Sequence, residues 1–110
     1  MKIINIKNIK SFNGSCGKLQ ELYNSKNVSM SYTVMRKDSK AHKHKNMEEV
    51  YYILKGKAKI KVNEKLFPIK AGDVFSIPKN KYHNVQEIKE KVELIVITYP
   101  GYDPKDVICL

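Results

Sequence analysis

The chain has 110 residues, 42% hydrophobic and 29% charged, enough to bury one core but not two, so one domain spanning residues 1–110 is expected. The net charge of +10 is nearly all lysine, spread along the chain with Arg36 as the only arginine, and this argues against a nucleic-acid surface. No run approaches the roughly 20 apolar residues of a membrane span, and MKIINIKNIK, broken by Lys2, Lys7 and Lys10, does not read as a signal peptide.

A soluble, cytoplasmic protein is therefore the expectation. Cys16 and Cys109 lie outside any Cys-x-x-Cys pair and are expected to be reduced.

The pattern along the chain is strand after strand. Ile3 to Ile9 reads as a short edge strand, and Phe12 to Lys18, with Gly14 and Gly17 around Ser15 and Cys16, as a turn. Leu19 to Tyr23 fits a strand or one helical turn, and Asn24 to Asn27 is turn-like. Val28 to Lys37 alternates strictly, Val28, Met30, Tyr32 and Val34 on one face and Ser29, Ser31, Thr33 and Met35 on the other, which predicts a strand. Asp38 to Ala41 reads as a loop, and Val50 to Leu54 as an apolar strand closed by Gly56.

Lys57, Lys59 and Lys61 alternate with Ala58, Ile60 and Val62, as on the solvated face of a half-buried strand. Asn63-Glu64 predicts a hairpin into Lys65 to Lys70, where Pro68 marks an edge strand. Val74 to Ile77 and a segment starting at His83 read as short strands around the turns Ala71 to Asp73 and Pro78 to Lys81. Val92 to Tyr99 is the last strand, and the tail is expected to pack Val107, Ile108 and Leu110 on the outside of the sheet or against a partner. Many short strands with frequent turns imply a sandwich or barrel.

The stretch Ala41 to Gly56, AHKHKNMEEVYYILKG, carries the chemistry. Side chains at i and i+2 of a strand share a face, so His42 and His44 can converge on one point. Glu49 at the entrance to the apolar strand adds an oxygen, and His83, the last histidine, adds a third nitrogen. Imidazole and carboxylate suit a divalent transition metal such as Fe, Mn, Ni, Cu or Zn, and the lack of thiolates argues against a structural zinc cluster. Glu48 beside Glu49 leaves an ambiguity, in which the spacing to Gly56 favours Glu49. Tyr51, Tyr52, Phe75 and Tyr82 read first as packing residues, although a tyrosine facing the metal would be able to orient a substrate or move a proton.

His42-Lys43-His44, then Glu49 and Gly56, resembles the first motif of the cupin superfamily, and Gly72, Pro78, Asn80 and His83 resemble the second. The first motif covers about residues 36–56 and the second about 72–87. Arg36, Asn80 and Glu87 depart from the usual motif residues, although Asn80 can keep a left-handed turn. The resemblance implies an all-β fold, a double-stranded β-helix or jelly-roll barrel, with a divalent metal on His42, His44, Glu49 and His83.

It also implies a small-molecule ligand and a homodimer, for which Ile3 to Ile9 and Val107 to Leu110 are the candidate contacts. The leading expectation is a cupin that chelates a small, oxygen-rich, anionic metabolite, using the metal as a Lewis acid in a sugar or sugar-acid isomerisation. An iron- or copper-dependent dioxygenase and a non-catalytic binding module are the alternatives, and no catalytic acid or base is singled out. A DNA-linked regulator would need a helix-turn-helix, for which this chain has no room.

Overall fold

The computed structural model describes residues 1–14 and 16–110; Ser15, in the turn expected from Phe12 to Lys18, lies outside the described residues. In chain order the strands are β1 (Phe12–Gly14), β2 (Gly17–Asn24), β3 (Ser29–Met35), β4 (His42–Lys43), β5 (Glu48–Val62), β6 (Lys65–Lys70), β7 (Val74–Ile77), β8 (His83–Tyr99) and β9 (Ile108–Cys109). They form one curled antiparallel sheet running β1-β2-β3-β8-β4-β9, with β5 joining β6, β7 and β8. This is the jelly-roll barrel that the motifs imply.

The long strands β5 and β8 pair over most of their length, from Glu48 opposite Tyr99 to Val62 opposite His83. Each therefore serves both ends of the barrel. The register shifts between Ile53 and Lys59, and these bulges bend β5 without ending it. Gly56, expected to break the strand, is instead its corner: φ is 103°, and a Cβ there would stand 2.3 Å from the Lys91 carbonyl oxygen. Only glycine lets the two backbones approach this closely.

The core sits inside the curl. Tyr51, Ile53, Ala58, Ile60, Val85, Val92 and Leu94 alternate inward from β5 and β8, joined by Met35, Ile69 and Ile77. Lysines occupy the opposite face of β5, where Lys59 reaches Glu87 at 3.3 Å. The Asn63-Glu64 hairpin forms as expected, with Val62 opposite Lys65 and Asn63 at φ 53°. Asn80 takes the left-handed conformation anticipated for it, φ 61°, and its N–H donates to the His44 carbonyl at 2.7 Å.

Three further expectations are corrected. Ile3 to Ile9 forms no strand: Ile6–Asn8 is a short 3-10 turn with an Asn5 cap, and Ile3, Ile4 and Ile6 are exposed. Phe12–Gly14 and Gly17–Asn24, expected in part as a turn, are antiparallel strands, with Phe12 opposite Leu19 and Gly14 opposite Gly17. The tail is not on the outside of the sheet. Residues Ile108–Cys109 pair with His42–Lys43, and the Leu110 N–H donates to the Ala41 carbonyl at 3.1 Å. No helix among the described residues is long and apolar enough to cross a membrane.

Candidate metal centre

His42, His44, Glu49 and His83 come together inside the barrel, all buried, with one ligand atom from each lying within 4.8 Å of the others. Strand register does this: His42 pairs directly with His83 across β4 and β8, and Glu49 enters from the first residues of β5. The imidazole centroids are 4.5 to 5.4 Å apart. Glu48 lies on the other face of β5, beside the Tyr99 hydroxyl, so Glu49 and not Glu48 joins the histidines.

All three rings are oriented by the backbone. Nδ1–H of His42 donates to the Lys40 carbonyl at 2.8 Å, that of His83 to the Lys81 carbonyl at 2.9 Å, and that of His44 to the Asp106 carbonyl at 2.8 Å. A carbonyl can only accept, so Nδ1 carries the proton in each ring and Nε2 is turned to the centre. Nε2 of His44 meets Glu49 Oε1 at 3.0 Å in a hydrogen bond. To serve both acceptors, His44 must carry both protons. Nε2 of His83 lies 3.0 Å from the same oxygen but lacks hydrogen-bond alignment, leaving it a buried nitrogen with no partner.

The electrostatics follow the same geometry. Burial pushes the Glu49 carboxyl up, but His44 and His83 outweigh it and hold it at about 2. Burial lowers the His42 imidazole, reinforced by His83 and His44. Burial also works against the His44 cation, yet the hydrogen bond and charge of Glu49, with the Asp106 carbonyl, hold its pKa above the ordinary value. A carboxylate fixed in its anionic form amid three Nε2 atoms, one of them orphaned, fits a bound cation.

The sequence gives no sign of Asp106. Its carboxylate, 5% exposed, accepts from the backbone N–H groups of Lys45 at 2.8 Å, Asn46 at 2.9 Å and Met47 at 2.8 Å. Its own carbonyl takes the His44 Nδ1–H, so this one tail residue fixes both the loop between His44 and Glu49 and the ring of His44. A short 3-10 turn, Pro104–Asp106, sets it in place, capped by the Asp103 side chain. Asp103-Pro104 was a legible local signal, but its partners lie about sixty residues away in sequence.

A cavity of about 160 Å³ opens over the cluster. His42, His44, Glu49 and Tyr51 are its buried floor, while Phe12, Glu21, Met30 and Tyr102 are exposed at its rim. Tyr51 is thus the tyrosine facing the site: burial, then the charge of Glu49, raises its pKa well above the usual value, so its hydroxyl keeps the proton. Tyr52 is 44% exposed outside the barrel, Phe75 packs on Tyr51 with centroids 5.4 Å apart, and Tyr82 lies under the Lys43 ammonium at 4.8 Å.

A curled antiparallel barrel with three inward histidines and one glutamate is the arrangement of a cupin. The family model for the cupin domain matches residues 30–98, more than half of the chain, and the chain belongs to that family. It is 33% identical over 66 residues to an uncharacterized protein of Methanocaldococcus jannaschii, a match covering 59% of this chain and 53% of that protein's length. Among solved structures it resembles a protein from Planctomyces limnophilus, with a TM-score of 0.86 at 26% identity over 98% of this chain and 96% of the other. The nucleoside dehydratase Pac13 of Streptomyces has the same fold, with a TM-score of 0.85 at 14% identity over 100% of this chain and 91% of the other.

Proposed function

We propose that this chain is a metal-binding cupin, a single domain in which Nε2 of His42, His44 and His83 and a carboxylate oxygen of Glu49 hold one divalent transition metal, Fe, Mn, Ni, Cu or Zn, beneath a small-molecule site. The observation that carries the reading is the orphaned Nε2 of His83, buried 3.0 Å from a carboxylate oxygen without a hydrogen bond. A buried nitrogen left in this way costs stability, and a cation at the centre removes the cost. Three nitrogens and one oxygen leave coordination positions open, at which the metal supplies Lewis-acid polarisation of a bound ligand oxygen.

The chain's own residues then do the rest. The backbone carbonyls of Lys40, Lys81 and Asp106 keep the three Nε2 atoms aimed inward. Tyr51, protonated on the floor beside Glu49, donates a hydrogen bond to a ligand oxygen. The anionic character expected of the metabolite finds no support in the cavity, because no lysine or arginine is among its described lining residues.

Titration of metal-free protein with Zn²⁺ or Mn²⁺ tests the reading. One site per chain is expected in the wild type and a loss of at least tenfold in affinity in His83→Ala; equal binding by both would overturn it. The proposal extends to a cytoplasmic homodimer, now resting on the exposed Ile3, Ile4 and Ile6, since the tail pairs with β4 of its own chain. Sedimentation showing a monomer at micromolar concentration would remove the dimer.

A further inference from the structure

The walls of the cavity restrict what can enter. Of the 21 lysines and arginines in the chain, none is among its described lining residues. The carboxylates that line it are Glu21 at the exposed rim and Glu49 on the floor. An oxygen atom can be met at the floor, but a second charged group further out would face Glu21 and apolar walls. The wall also carries four hydroxyls, those of Ser29 and Thr98, which hydrogen-bond each other, and those of Ser31 and Thr33.

The rest of the wall is soft apolar surface. Met35 and Met47, both buried, line the cavity together with Leu19 and Val96, and thioethers make favourable contacts with aromatic rings. Size sets the other limit. An apolar cavity of about 150 Å³ holds one benzene ring, and this one measures about 160 Å³.

We propose that the cavity selects a small, uncharged, planar ring compound bearing an oxygen donor, of the size of a phenol, and rejects sugar acids and phosphorylated metabolites. The inference rests on the reading of the cluster as the floor of a ligand site, but not on which metal is bound. The ring lies against Met35 and Met47 with its oxygen directed to the floor.

The methionine methyl groups report the answer. Protein labelled with ¹³C at these methyls is titrated with phenol, glucuronate and glucose 6-phosphate, both metal-free and loaded with zinc. Phenol is expected to shift the Met35 and Met47 signals saturably at millimolar concentration or below and to leave Met1 unmoved. The two anions should move none of the four at tenfold higher concentration. Val96→Phe, which fills the cavity, should abolish the phenol shifts while zinc uptake continues; if that variant does not fold, the contrast between probes in the wild type decides.

Shifts with the anions and none with phenol, equal movement of Met1, or no response to any probe would overturn the proposal. Histidine imidazole signals in the same samples follow zinc separately. Zinc uptake without a phenol response sinks the ligand class alone, and a phenol response without zinc uptake sinks the metal reading alone.

Discussion

Replacing Asp106 with alanine strikes the tail residue on which the loop between His44 and Glu49 hangs. Three backbone donors lose their acceptor, at 2.8, 2.9 and 2.8 Å from Lys45, Asn46 and Met47. A hydrogen bond to a charged group contributes about 1.5–3 kcal/mol, but Lys45 and Asn46 are exposed and water can replace much of theirs. Met47 is buried, 2% exposed, and its N–H would be stranded. The expected loss is therefore about 2–4 kcal/mol for Asp106→Ala, and about half of that for Asp106→Asn, whose amide oxygen still accepts.

Metal affinity should fall about 10- to 100-fold in Asp106→Ala, as for other groups that orient ligands. Urea unfolding gives the first quantity and metal titration the second. The alanine variant within about 0.5 kcal/mol of wild type, with unchanged metal affinity, would refute this role. The His44 Nδ1–H bond to the Asp106 carbonyl survives either substitution. Any loss of affinity would thus report the loop and not the ring.

Other outcomes follow from the same geometry. The Asp106 carboxyl is held below the usual value because, although burial raises it, the N–H groups of Met47, Asn46 and Lys45 favour the anion. Its stabilisation is present above the unfolded-state pKa of about 3.9 and is lost as pH falls through the lower folded-state value. Wild type and Asp106→Asn should therefore converge in stability at acid pH, read by urea unfolding across that range; a constant gap would contradict the assignment. His44→Ala should strip most of the metal while the barrel stays folded, and Glu48→Ala should change metal content little, as read by elemental analysis and circular dichroism. Gly56→Ala, with φ 103° and a Cβ 2.3 Å from the Lys91 carbonyl oxygen, should lose about 2–4 kcal/mol in thermal or urea unfolding.

The cluster of three histidines and one glutamate was legible because its information is local. His42 and His44 sit one residue apart, Glu49 heads an apolar strand, and Asn80 supplies the left-handed turn before His83. β3 shows where pattern reading stops. Alternation marks it as a strand, but its more polar face, Ser29, Thr33 and Met35, is the buried one, because there it lines a cavity instead of a packed core. The apolar residues of Ile3 to Ile9 suggested a strand, yet no neighbouring strand offers it a ladder. Strand pairing needs a partner that periodicity cannot supply. The roles of Asp106, Tyr102 and the β1-β2 hairpin depend on contacts between distant segments, and nothing in their own neighbourhood announces them.

The most direct measurement of the central claim is elemental analysis of protein purified without a histidine tag or chelator, expressed as metal per chain. Close to one iron, manganese, nickel, copper or zinc ion per chain is the predicted result. Protein that carries none of them, and takes up none when each is supplied, would contradict the account.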